Sequence, residues 1–138
     1  AGSLVGLHYH RFQADYWTVA DGLVRVVLHD LRTGSPTDGA TLCLDLGGDG
    51  SERNRGLYIP EGVAHGFAAL SDATVVYLVD RTYDPADELG VAWNDPVISA
   101  DWGLTAPVLS DRDQANPIRV DLRAELVPVF SPDPGEVD

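Results

Sequence analysis

The stretch Tyr58-Ile59-Pro60-Glu61-Gly62-Val63-Ala64-His65-Gly66-Phe67 decides how the rest of the chain is read. Pro60 and Gly62 mark a tight turn, because proline presets φ and glycine tolerates positive φ. Apolar and small residues follow around one histidine, so a strand carrying His65 is expected to leave the turn. Near the N-terminus, Gly6-Leu7-His8-Tyr9-His10 holds a second histidine group. Strand alternation places His8 and His10 on one face. If both segments belong to one small barrel, their imidazoles meet inside it. Three imidazoles in a cavity imply either proton transfer or a metal site.

Helical periodicity is nearly absent in the rest of the chain. Short apolar runs separated by Gly, Pro, Asp and Asn predict strands near 4–10, 15–20, 23–31, 40–46, 55–59, 65–70 and 74–81. Leu23-Val24-Arg25-Val26-Val27-Leu28-His29 and Thr74-Val75-Val76-Tyr77-Leu78-Val79 are rich in β-branched residues. Asp21-Gly22 signals a tight turn, and Thr33 to Gly39 a longer one. The Gly47-Gly48-Asp49-Gly50-Ser51 tip lacks the Lys-Ser/Thr ending of a phosphate loop and receives no phosphate role. After Asp84, prolines punctuate turns, with one short helix near 110–115. Many short strands in one small domain predict an all-β sandwich or barrel over residues 1–127, followed by a Pro-rich acidic tail, 128–138.

The 138 residues suffice for one domain, and 44% hydrophobic content is enough for a core. No apolar run approaches the roughly 20 residues of a membrane span, and no signal peptide is visible. The formal net charge is -13, and every basic residue is arginine. Such a chain repels nucleic acid and anionic membranes, so an anionic substrate needs local arginines. The lone cysteine, Cys43, in Ala40-Thr41-Leu42-Cys43-Leu44, reads as a buried core thiol, and a reducing cytoplasm fits best. His29 reads as structural.

Several ordered motifs carry a resemblance. Gly6-Leu7-His8-Tyr9, Asp30-Leu31-Arg32-Thr33-Gly34-Ser35-Pro36-Thr37, Ile59 to Phe67 with Leu70-Ser71, Trp93-Asn94-Asp95, and Leu109-Ser110 with Asp113 resemble the dTDP-4-dehydrorhamnose 3,5-epimerase family. The resemblance runs from about Leu4 to Pro117. It implies a cupin-type jelly roll, a homodimer, and proton abstraction beside the ketone of a nucleotide-linked (dTDP) 4-keto-6-deoxy hexose, with no cofactor. It gives His8 the base role, Asp113 the task of orienting and charging it, and Tyr77 the opposing acid. His65, His10, Asp15 and Asn94 would contact substrate. The chemistry suits histidine, whose pKa lies near 7, and it also needs an acid on the far face and a group for the enolate oxygen.

The chain departs from the family pattern at two cationic positions. Val5 stands where the family has arginine before Gly-Leu-His, and its cavity lysine falls on Asp15 or, in another alignment, on Gly22. His8-Tyr9-His10, then Asp15, then His65 also matches the pattern of metal-binding cupins. A second reading is therefore a metal-dependent cupin, an oxygenase or isomerase, holding one divalent transition metal on His8, His10, Asp15 and His65. A third is a non-catalytic ligand-binding cupin.

Overall fold

Alternating apolar residues build eight strands: β1 (Leu4–Tyr9), β2 (Asp15–Asp21), β3 (Leu23–Asp30), β4 (Thr41–Gly47), β5 (Gly56–Ile59), β6 (Val63–Ala69), β7 (Thr74–Val79) and β8 (Leu89–Gly90). The structure is a computed structural model describing residues 1–50 and 54–132. Ser51, the end of the expected loop tip, and the end of the expected tail, 133–138, lie outside the described residues. The strands form two sheets, a five-stranded one ordered β4-β3-β6-β1-β8 and a three-stranded one ordered β5-β2-β7. Every pairing between strands is antiparallel.

The two sheets face each other across one core. Trp17, Val19, Ile59, Leu57 and Val75 of the three-stranded sheet pack against Val24, Val26, Leu46, Val63 and Phe67 of the five-stranded sheet. The opposite face of the five-stranded sheet, with Leu4, Leu7, Tyr9, Val27, Ala64 and Ala68, is covered by Val91, Ile98 and Trp102. That segment has almost no regular structure beyond a helix α1 (Asp111–Gln114) and two 3₁₀ turns. Both faces of the larger sheet are thus buried, which explains the near-continuous burial of β6.

The two turns read from the sequence do related work. Asp21-Gly22 is not a hairpin, since β2 and β3 lie in different sheets. Pro60-Glu61-Gly62 also carries the chain from one sheet to the other, and Gly62 has φ +77°. The Gly62 N–H donates to the His10 carbonyl at 2.7 Å. This bond ties the start of β6 to the end of β1, and so the His65 strand to the His8–His10 strand.

Asp30 closes the Thr33 to Gly39 loop. Its carboxylate accepts from Arg32 N–H, Nε and Nη2, from Ser35 Oγ at 2.7 Å and from Thr37 Oγ1 at 2.7 Å. Burial alone would raise this carboxyl, but the bonds from Arg32, Thr37 and Ser35 outweigh it and hold it well below the usual carboxylate range. The Asp-Leu-Arg…Ser-Pro-Thr motif is therefore a loop clamp.

Two expectations change. Cys43 is exposed. Leu44 and Leu46 of β4 take the face toward the inter-sheet core. Alternation turns Cys43 to the other face of an edge strand, where the C-terminal layer reaches Thr41 through the Ile98 carbonyl but leaves Cys43 open. The start of the expected tail is docked: Thr33 pairs with Val129, and Arg32 stacks 5.3 Å from the centre of the Phe130 ring.

His29 is structural, as expected. It is fully buried, its Nδ1 bonds Thr41 Oγ1 at 2.9 Å, and its Nε2 has no partner among the described residues. Burial pushes its pKa below 6.5, helped by Arg119 and opposed by Asp95, Asp30 and Asp38. The unfolded chain therefore takes up a proton that folded His29 refuses. The stability this gives is complete above pH 6.5 and is lost as pH falls from there toward the folded value. Thermal melts of His29→Leu between pH 7 and pH 5 should show a flatter pH dependence than the native chain. An unchanged slope would remove His29 as the cause.

Candidate active site

The mouth between the sheets holds a cavity of about 260 Å³, lined by Val5, His8, His10, Gln13, Asp15, Trp17, His65, Gly66, Phe67, Tyr77 and Glu88. A local irregularity in β1 aims the histidines into it. Val5 pairs with Phe67, but His8 pairs with His65, so β1 holds one extra residue over that interval. This bulge resets the alternation. Leu7 and Tyr9 go to the outer core, while His8 and His10 face the cavity. Two glycines let the strands close at that point. A Cβ on Gly6, whose φ is +117°, would sit 2.7 Å from the Gly66 Cα, and one on Gly66 would sit 2.5 Å from the Val5 carbonyl.

His8 Nε2 lies 2.5 Å from Asp113 Oδ1. The Asp113 carboxylate is buried and also accepts the Gly6 N–H at 3.2 Å. Ser110 caps α1 by accepting the Asp113 N–H, which fixes where that aspartate sits. A carboxylate on Nε2 stabilises the imidazolium and sets the tautomer with Nδ1 free to take a proton. No hydrogen bond among the described residues ties that Nδ1.

His65 and His10 are held differently. His65 Nδ1 donates to the Val63 carbonyl at 2.9 Å, and its Nε2 lies 3.7 Å from Asp15 Oδ2. Burial pushes the His65 pKa down to about 4, against the pull of Asp15, so this ring stays neutral near pH 7. His10 Nδ1 donates to the Asp87 carbonyl at 3.0 Å. Asp15 accepts from Gln13 Nε2 at 2.9 Å and from the Trp17 indole at 3.1 Å.

Tyr77 is 59% exposed yet belongs to the cavity. It pairs with Trp17 across β2 and β7, on the inward face of the three-stranded sheet, and β7 is that sheet's edge. Its ring centre lies 6.1 Å from that of Trp17. His8 and Tyr77 thus enter the cavity from different sheets.

Of the expected site residues, His8, His10, Asp15, His65 and Tyr77 gather here, and Asp113 joins through His8. Asn94 does not: it is exposed and absent from this lining. The working residue of Trp93-Asn94-Asp95 is its neighbour. Buried Asp95 accepts the backbone N–H groups of Val97, Ile98 and Arg119. The four-ligand metal set also shrinks. Asp113 engages His8, and the residues whose ligand atoms lie within 4.8 Å of one another are His10, Asp15 and His65. Gln13, Trp17 and Glu88 were missed. Gln13, Asp15 and Trp17 alternate on one face, a period-two signal that was available. Glu88, with Oε1 3.7 Å from His10 Nδ1, lies in a turn segment that gave none.

The fold and site define a cupin-type jelly roll with a histidine–aspartate pair at its mouth. The chain belongs to the dTDP-4-dehydrorhamnose 3,5-epimerase family, whose model matches residues 1–120. It is 43% identical over 133 residues to a dTDP-4-dehydrorhamnose 3,5-epimerase of Mycobacterium tuberculosis, across 90% of this chain and 63% of that relative's length. Among solved structures, it is similar to a 4-keto-6-deoxy sugar epimerase from the novobiocin biosynthetic gene cluster of Streptomyces spheroides (TM-score 0.86, 41% identity, covering 94% of this chain and 66% of that one). A dTDP-6-deoxy-D-glucose-3,5-epimerase from Legionella pneumophila, solved with dTDP-4-keto-L-rhamnose, is similar too (TM-score 0.84, 36% identity, covering 95% of this chain and 70% of that one).

Proposed function

We propose that this chain epimerises a dTDP-linked 4-keto-6-deoxy hexose at the 3 position, the 5 position or both. The observation that carries the reading is the 2.5 Å His8–Asp113 pair beside a cavity whose other sheet supplies Tyr77. His8 Nδ1 takes the proton from the carbon next to the ketone, and Asp113 balances the imidazolium. The resulting enolate keeps its charge on the ketone oxygen. Tyr77 returns a proton to the opposite face, which inverts the carbon. The cavity, about 260 Å³, lies just under the ~300 Å³ at which pockets for drug-sized ligands commonly start, so in this reading it takes the sugar alone and the nucleotide stays at the mouth.

The proposal includes a homodimer. Tyr16, Tyr58, Val76 and Leu78 sit exposed on the outer face of the three-stranded sheet, an apolar surface that suits a second copy. No helix among the described residues is long and apolar enough to cross a membrane. A single free cysteine fits the reducing cytoplasm.

Proton NMR in D₂O tests the reaction. The native chain should wash deuterium into the carbons flanking the ketone. Tyr77→Phe should continue exchange while inversion falls by roughly 10²–10⁴-fold, because the base can return a solvent-exchanged proton only to the face it came from. Absence of exchange with the native chain would remove the epimerase reading. Unchanged inversion in Tyr77→Phe would remove Tyr77 as the acid.

A further inference from the structure

We infer that His10, Asp15 and His65 form a binding site for one divalent first-row transition-metal ion, set in the wall of the cavity beside the His8 base. One ligand atom from each residue lies within 4.8 Å of the other two, and all three residues are buried. Metal–nitrogen and metal–oxygen bonds of ~2.0–2.2 Å place ligand atoms ~3–3.5 Å apart, so these side chains close in by about an ångström on loading.

Each donor is already oriented from behind. His65 and His10 spend their Nδ1 protons on the carbonyls of Val63 and Asp87, which leaves Nε2 of each ring with its lone pair. Asp15 is held by the Trp17 indole and the Gln13 amide. Outer partners of this kind fix ring tautomer and carboxylate orientation in metal sites.

The electrostatics agree. Asp15 and Glu88 line the cavity, and no Lys or Arg does so among the described residues. A negative cavity of this size concentrates a cation. Two imidazoles and one carboxylate suit Fe(II), Mn, Co, Ni or Zn, whereas Ca²⁺ and Mg²⁺ prefer all-oxygen shells. Three protein ligands leave coordination positions open toward the cavity. An ion there would put a fixed positive charge in the cavity wall, and its use in stabilising an enolate rests on the proposed epimerase reading. The binding site itself does not.

The test is Co²⁺ titration of the chelator-treated full chain without substrate, read by visible absorption. One equivalent per chain should bind. Asp15→Asn and His10→Gln should each weaken binding by at least the ~10–100-fold typical of losing an outer partner, and His8→Gln should keep it. Weak binding of several ions, unchanged in Asp15→Asn, would assign the metal to the acidic surface and overturn the proposal. Equal loss in His8→Gln would overturn the ligand set. Should the variants unfold, Mn²⁺ added to the native chain decides. It must broaden the Trp17 indole N–H signal, which reports on Asp15, before that of Trp102, whose indole bonds the Trp93 carbonyl; equal broadening overturns the site. Because no substrate is present, failure here leaves His8 as a base, and failure of deuterium exchange leaves the metal site standing.

Discussion

His8→Gln lowers solvent deuterium exchange at the carbons flanking the ketone by roughly 10²–10⁴-fold, the usual worth of a positioned base. Glutamine keeps a hydrogen-bonding group near Asp113 Oδ1, so the buried carboxylate is not left bare, and the melting temperature should change little. Asp113→Asn reaches a similar loss by another route. Its amide can present an N–H where His8 Nε2 now donates, which favours the tautomer that carries the proton on Nδ1 and cannot accept one. Gly6 N–H keeps an acceptor in this variant. Exchange rates measured by NMR, paired with melts, separate the two effects. If His8→Gln retained exchange within a few-fold of native, His8 would not be the base.

The largest expected stability loss comes from Asp30→Ala. The change strips the partners of Arg32, Ser35 and Thr37 together. It costs about 2–4 kcal/mol, short of a fully buried pair because the Arg32 side chain keeps 17% of its surface in water. For a chain of this length that lowers the melting temperature by roughly 10 °C. Asp38→Ala, which breaks a more exposed pair with Arg119, should lie within about 1 kcal/mol of native. The Asp30 contribution also carries a pH signature. Its folded pKa lies below the unfolded 3.8, so the stability is present above pH 3.8 and is lost as pH falls below it. If the two variants melted alike, the loop clamp would be refuted.

The strands were legible because seven of them carry runs long enough to show period two. β8, of two residues, carries no period and was missed. Cys43 was misread because alternation says that neighbours point oppositely, not which face of an edge strand is covered. In the site, the glycine–histidine and proline–glycine motifs led to the right strands. The pairing of His8 with Asp113, 105 residues apart, came from the resemblance alone and has no local signature. The Trp93-Asn94-Asp95 motif misled because its conspicuous polar residues can exist to cap a turn, as Asp95 does. The bulge that aims His8 depends on two glycines from different strands meeting back to back, which no single window contains.

His8 hangs from the five-stranded sheet and Tyr77 from the edge of the three-stranded one. Apart from crossing turns such as Pro60–Gly62, the interior that sets their separation is Trp17, Phe67, Val24 and Val26. The gap across which a proton would enter and leave the sugar is thus the thickness of an apolar layer. Volume changes in that layer should act as a spacer adjustment. They would move the ratio of exchange to inversion without touching His8 or Tyr77, and a screen of conservative interior substitutions would read them as stereochemistry.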